Sequence, residues 1–310
     1  MPIIYDPPAY TTPTFDELVE EVLGNLQGYT LTPDQVTYLL EDLTASATTV
    51  QCAIPEGGLG IGMVEVGDEL MQVISVDEDA SQLNLLPQGR GWRGTTASTH
   101  AAGDTVVVSP LVPRWRVKKA INDTVVALWA QGVYAVGTTE FAWTNPIALA
   151  YEVPAEAESI LAVRYRDWLG NWVKVRAWEV VRSSNTTDFT SGVSLRISEA
   201  LLPGCTVQVV YGKRPTGLSS GSAPLTDSGL PVSAKDLLVL GAQARLIPAM
   251  DAGRLSVQYV PADELDQPRQ LGSAVALARE FNTQYQAALV AERQALQNLY
   301  PARVHFTTSR

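Results

Sequence analysis

The side chains that could carry a proton, a nucleophile or a metal are few in this sequence. There are two histidines, His100 and His305, and two cysteines, Cys52 and Cys205. Neither histidine belongs to a metal-ligand pattern with Cys or Asp. No Gly-x-Ser-x-Gly elbow and no phosphate-binding Gly-Lys-Ser/Thr loop occurs. The run Gly58-Leu59-Gly60-Ile61-Gly62 has the look of a dinucleotide loop, but a strand pattern follows it where a helix is needed. The acidic pairs Glu20-Glu21 and Glu78-Asp79 fall on a helix surface and a turn, the ordinary places for solvated carboxylates. The sequence therefore predicts neither an enzyme nor a cofactor or metal site, and a cell-wall hydrolase is the disfavoured enzymatic reading.

Bulk properties narrow the class further. The 310 residues carry a net charge of −11, and 46% are hydrophobic, enough for real cores. That acidity argues against a sequence-wide grip on nucleic acid, which needs clustered Lys and Arg. It is compatible with a channel through which DNA slides, because an acidic wall repels phosphate. Both cysteines sit in apolar strand-like contexts and read as reduced core residues. The start MPIIYDPPAYTT lacks the basic and apolar regions of a signal peptide, and no apolar run approaches membrane-spanning length, so synthesis in a cytoplasm and no membrane partner are expected.

The elements that must position any site begin with the longest. Ser273 to Leu299 holds no Gly or Pro, is rich in Ala, and places Leu277, Phe281, Tyr285, Leu289, Leu296 and Leu299 near helical spacing. It predicts a helix of roughly 40 Å at ~1.5 Å per residue, with Arg279, Gln284, Glu292, Arg293 and Gln297 on a solvated face. It reads as one helix of a small bundle or as a surface shared with copies of itself. Residues 1–45 hold an extended arm and two short helices. Their capping boxes are Thr14 with Glu17, and Thr32 with Gln35. Residues 46–110 alternate, with turns every eight to ten residues, and predict a small barrel or curled sheet of four or five strands. Residues 111–132 form a helix. Residues 133–216 give strands at Tyr134–Thr138, Ala148–Val153, Ile160–Arg166, Trp172–Val181, Val193–Ile197 and Thr206–Tyr211, a β-sandwich pattern. Residues 217–300 supply a linker and further helices. The fold class is α+β: a helical bundle body with a long C-terminal helix and two inserted β-rich modules.

Three places stand out as possible interfaces. Arg114, Arg116, Lys118 and Lys119 crowd the first turns of the 111–132 helix, against the helix dipole; they are a solvated face or the seat of an acidic partner. Trp168 and Trp172 flank the turn Asp167 to Asn171; they pack on their own sheet, anchor a protein interface or stack on a sugar. Pro301 stops the last helix, and the tail 301–310 alternates Val304 with Phe306 and ends on Arg310; it adds to a partner's sheet or groove, or is a frayed terminus.

Residues 88–108 carry a resemblance. They read Gln-Gly-Arg-Gly-Trp-Arg-Gly-Thr-Thr-Ala-Ser-Thr-His-Ala-Ala-Gly-Asp-Thr-Val-Val-Val. This is similar to a recurrent element of tailed-phage virion proteins, matched at Arg93, Gly94, Thr95, Ala97, His100, Ala101, Gly103 and Val106, with the strand–turn Val64 to Glu69 before it. Its glycines permit tight turns, and His100 is expected to hydrogen-bond the loop in place. With its strands the motif covers about a fifth of the chain. The whole plan resembles the head-to-tail adaptor proteins of tailed phages. The resemblance implies a ring of copies, commonly twelve, below the portal protein in the virion neck, assembled in the host cytoplasm, with double-stranded DNA passing through. It also implies that the tail, through Pro301, Ala302, Arg303, Val304, His305, Phe306 and Arg310, docks between portal subunits. The β modules then face the next neck or tail-terminator protein. The module at 46–110 is absent from a minimal adaptor, which keeps a minor tail or baseplate protein as the alternative.

Overall fold

The computed structural model describes residues 12–28, 34–55, 58–144, 150–250 and 272–301. By internal contacts these fall into two units. One holds 16–123 with 238–250 and 272–285, the other 12–15, 124–237 and 286–301.

In the first unit, helix α1 (Phe15–Gln27) buries Leu18, Val19, Val22 and Leu26 on one face, as its spacing requires. Six strands follow: β1 (Gln35–Tyr38), β2 (Thr49–Gln51), β3 (Gly62–Val66), β4 (Glu69–Asp77), β5 (Gln82–Leu85) and β6 (Thr105–Val108). They make one antiparallel sheet in the order β1-β6-β3-β4-β5-β2. The expected small barrel or curled sheet is not found: its strands form a six-stranded antiparallel sheet. An isolated bridge joins Leu39 and Cys52, just past β1 and β2. Val50, Cys52, Val64, Met71, Leu83 and Val106, none of them solvent-exposed, fill its core. Burial pushes the Cys52 thiol up to about 11. Helix α2 (Arg114–Leu128) follows.

The second short helix is a correction. The stretch with Val36, Leu39, Leu40 and Leu43 at helical spacing, opened by Thr32 and Pro33, is no helix: it starts as strand β1 and continues with isolated bridges at Leu39 and Leu43, while Thr32 and Pro33 lie outside the described residues. The valine-rich β6 pairs with it from Gln35↔Val108 to Tyr38↔Thr105. Thr37 turns inward and its hydroxyl donates to the Ala53 carbonyl, while Val36 and Tyr38 face out. Local helix propensity is worth only tenths of a kcal/mol per residue and yields to such a pairing.

In the second unit a four-stranded sheet runs β10-β9-β13-β7 and a three-stranded sheet runs β11-β12-β8. The strands are β7 (Ala135–Ala142), β8 (Ala150–Glu152), β9 (Ser159–Arg166), β10 (Trp172–Lys174), β11 (Trp178–Arg182), β12 (Val193–Ile197) and β13 (Thr206–Lys213). Both sheets feed one core through Val163, Val207 and Val209 from one and Leu195 and Ile197 from the other. The predicted strand Trp172–Val181 is two strands in different sheets. Buried Val175 marks the crossing, its N–H still donating to the Val163 carbonyl at 2.9 Å.

Helix α3 (Lys235–Leu246) and helix α4 (Gly272–Leu299) complete the described elements, α4 within one residue of its expected start. Along α4 the residues Phe281, Tyr285, Leu289, Glu292 and Leu296 are buried at four, four, three and four residue steps. Glu292 therefore belongs to the buried stripe and not to the solvated face the sequence assigned it.

One backbone position tests the packing of the second unit. Gly229 has φ 79° beside a buried turn, and a Cβ there would lie 2.6 Å from the Ala135 Cβ. Gly229→Ala is expected to lose about 1–3 kcal/mol from left-handed strain and overlap, read as a lower midpoint in chemical denaturation.

Candidate functional site

The loop 88–104 is organised by a buried carboxylate, Glu69, to which no sequence pattern points. Glu69 opens β4, and its side chain has no solvent exposure. Arg90 grips both its oxygens, Nε to Oε1 at 2.6 Å and Nη2 to Oε2 at 2.8 Å. The Gly91 N–H donates to Oε1 at 3.1 Å, the Ser98 N–H to Oε2 at 3.0 Å, and His100 Nε2 lies 2.9 Å from Oε2. Arg90 also donates to the Thr44 and Ser98 carbonyls. Thr95 Oγ1 accepts the Leu70 N–H at 3.0 Å, and His100 and Leu43 exchange both backbone hydrogen bonds. The loop needs left-handed backbone at Gly91, Arg93, Gly94 and Gly103, so no regular ladder can hold it. The carboxylate does so instead.

His100 thus has the role expected of it, orienting the loop with Nε2 also 3.2 Å from the Ser98 hydroxyl. The ion pair, however, belongs to Arg90, not to the motif's Arg93. Burial by itself pushes Glu69 up; the hydrogen bonds from Arg90, Ser98, His100 and Gly91 overcome it and hold the group down at about 2. All its lone pairs are engaged, so the constellation is a structural clasp with no free base.

The cationic cluster of α2 is disposed differently residue by residue. Arg114 contacts Asp16 at 3.3 Å, Asp68 at 3.5 Å and Glu20. Lys118 reaches Asp68 at 2.6 Å and Asp16 at 2.8 Å. Lys119 pairs with Asp123 on its own helix at 2.8 Å, and Arg116 is half-buried beside them. These acids supply the counter-charge within the chain. Asp16, Glu20 and Asp68 line a groove of about 500 Å³ with Asp34 and Glu65. Buried Glu65 accepts the Arg114 N–H at 2.7 Å and so caps the first turn of α2. Burial drives its carboxyl up to about 7 despite the opposing pull of Arg114.

The aromatic turn is built to project. Asp167 Oδ1 accepts the N–H groups of Leu169 and Asn171 at 2.9 and 2.8 Å, and Gly170 sits at φ 85°. Trp168 does not fold back on the sheet: it is 83% exposed, with Leu169 at 62%, Leu202 at 67% and Trp172 at 39%. A hollow of about 570 Å³ lies beside it, walled by Tyr165, Val173 and Leu202 to Thr206. Rigid exposed aromatics with few torsions to freeze suit a protein contact.

The expected docking tail lies outside the described residues from Ala302 onward; Pro301 is exposed two residues past the end of α4. Among the described residues no group of His, Cys, Asp and Glu could hold a metal ion, and no helix is long and apolar enough to cross a membrane.

No protein-family model and no curated protein matches the chain. Among solved structures it is similar to a chain of the virion of a native gene transfer agent particle, at 16% identity and TM-score 0.20, over 52% of this chain and 81% of that one. It is also similar to a chain in the neck of the native particle with C12 symmetry, at 16% identity and TM-score 0.19, over 53% and 80%. A third is in the neck of the empty particle with C6 symmetry, at 16% identity and TM-score 0.20, over 55% and 79%. TM-scores this low do not establish a shared fold.

Two substitutions probe the clasp and the cap. Glu69→Ala leaves Arg90 without its partner in a buried site and is expected to cost about 3–5 kcal/mol. Glu69 is lowered from its ordinary 4.5 to about 2. Its contribution is therefore complete above pH ~4.5 and lost as pH falls toward 2; Glu69→Gln abolishes that part of the acid limb in melts at stepped pH. Glu65 is raised, so its ionisation removes stability as pH climbs from 4.5 to about 7. Glu65→Gln, whose amide oxygen still caps α2, should melt progressively above the wild type between pH 5 and 8.

Proposed function

We propose that this chain is a structural virion protein of a tailed-phage-like particle: a head-to-tail adaptor. Copies form a ring, of twelve in the family's common form, below the portal, and the ring joins the portal to the next neck or tail-terminator protein while DNA passes through. The observation that carries the reading is the loop 88–104, whose phage-like residues are held by the Glu69 clasp. Its donors come from four positions of the loop, so the motif acts as one folded unit and not as a chance string. The net charge of −11 suits a passage that must not retain DNA. In this reading the tail from Pro301 to Arg310 docks on the portal.

The exposed Trp168 turn favours a second reading, a minor tail or baseplate protein whose second β module contacts a neighbour or the host surface. Antibody-gold labelling of intact particles separates the two. Label at the neck is the expected result; label confined to the tail tip overturns the adaptor reading. The chain ending at Tyr300 should keep the full-length melting temperature but no longer co-sediment with portal rings. Undiminished co-sedimentation removes the tail from the docking role.

A further inference from the structure

The outer face of the sheet edge made by β9 and β10 carries cations that no acid meets. Val163 and Tyr165 turn into the core of the second unit, so alternation sends Arg164 and Arg166 to the opposite face. The register sets Trp172 opposite Arg166 and Lys174 opposite Arg164. Like charges directly opposite each other destabilise an antiparallel pair, and an anion bound across Lys174 and Arg164 would relieve that. None of Arg164, Arg166 and Lys174 forms an ion pair among the described residues. Arg166 Nε donates to the Gly170 carbonyl at 3.3 Å, and the Asp167 carboxylate is engaged by N–H groups of its own turn. The next acid along the same row is Glu140, two strands beyond Arg164, where it accepts from Gln208 at 2.9 Å. Arg90, Arg114, Lys118 and Lys119 all have carboxylate partners by contrast.

The first unit carries the complement. The turn between β4 and β5 presents Asp77, Glu78 and Asp79 in succession, all exposed and none in an ion pair among the described residues. It is an ordered turn: the Ala80 N–H donates to Asp77 Oδ1 at 3.1 Å, Ser81 takes φ 52°, and Gln82, Asn84 and Ser75 hydrogen-bond in series behind it. We infer that this acidic turn docks on the β9–β10 face of a second copy of this chain. Three acids meet three cations, and the exposed Trp172 and Ile74 give the contact an apolar part. A chain of net charge −11 repels its copies over most of its surface, so a locally cationic face is where a copy can approach. Two different surfaces make the contact head-to-tail, the kind that closes into a ring when the rotation allows. The inference rests on the proposed ring for that closure alone.

The test reverses each side in the full-length protein and follows its oligomers by native mass spectrometry over a dilution series. Arg166→Glu with Lys174→Glu reverses the face; Glu78→Lys with Asp79→Lys reverses the turn. All four positions are exposed, so melting temperatures should stay at the wild-type value. Each reversal should raise the dissociation constant at least about tenfold. The turn reversal does so while making the chain less acidic, which a general charge effect would not. An equimolar mixture of the two, or one chain carrying both, restores opposite signs at every contact and should bring the constant back to within about threefold of wild type. The two reversals cancel, so the chain with both keeps the net charge of −11. Where a reversal lowers the melting temperature, Lys174→Gln and Glu78→Gln are the milder pair, each expected to weaken association about threefold. Oligomers unmoved by the variants, or a loss that neither the mixture nor the doubly reversed chain repairs, overturn the contact and leave the ring reading standing. A wild type monomeric in isolation also overturns the contact; monomeric with portal as well, it overturns the ring too. Capture of a poly-dT oligonucleotide that the face reversal abolishes, with the oligomers unmoved, gives the face to nucleic acid and overturns the inference.

Discussion

A buried carboxylate with five hydrogen-bond donors is the interaction on which the first unit rests. The Glu69 side chain is wholly removed from water, and the ionised group is tolerable there only because Arg90, His100 and two backbone N–H groups converge on it. In exchange it fixes seventeen residues of loop, 88–104, that form no strand and turn through left-handed backbone at five of them. Through Thr95 it is tied to the start of β4, through Arg90 to Thr44, and through His100 to Leu43. One acid thereby sets the geometry between β4, β6 and the chain leading to β2.

The same economy runs through the rest of the chain. Arg114 and Lys118 find their counter-charges on α1 and in the turn after β3, and Glu65 caps α2 from a neighbouring strand. One exposed surface is apolar and preset: the Trp168 turn, held by Asp167. An aromatic turn held rigid in advance loses little entropy in a contact.

Much of this was legible in the sequence because it is written in local pattern. Periodicity and the absence of Gly and Pro located α4, and alternation located β3, β4, β5 and most strands of the second unit. Strand β1 was not legible: Val36, Leu39, Leu40 and Leu43 fit a helix face, and the pairing that overrules it comes from β6, some seventy residues on. The split of Trp172–Val181 between two sheets leaves no mark on an alternating run. The clasp was half visible. The motif pointed to His100, but only the fold tells Arg90 from Arg93 and places Glu69 beneath them. Glu292 was misread because a single carboxylate at helical spacing from Leu289 and Leu296 looks the same in sequence whether the face beneath it is water or protein.

What remains is whether the chain exists to be shared with copies of itself. A tail-tip protein with binding modules and a neck adaptor with a closed ring can present the same surfaces, but they differ in stoichiometry. Native mass spectrometry of the purified full-length protein, alone and with portal, addresses this most directly. The account predicts a single closed oligomer, with portal or without it, at a mass of about a dozen copies for the family's common form. A strictly monomeric chain under both conditions would contradict it.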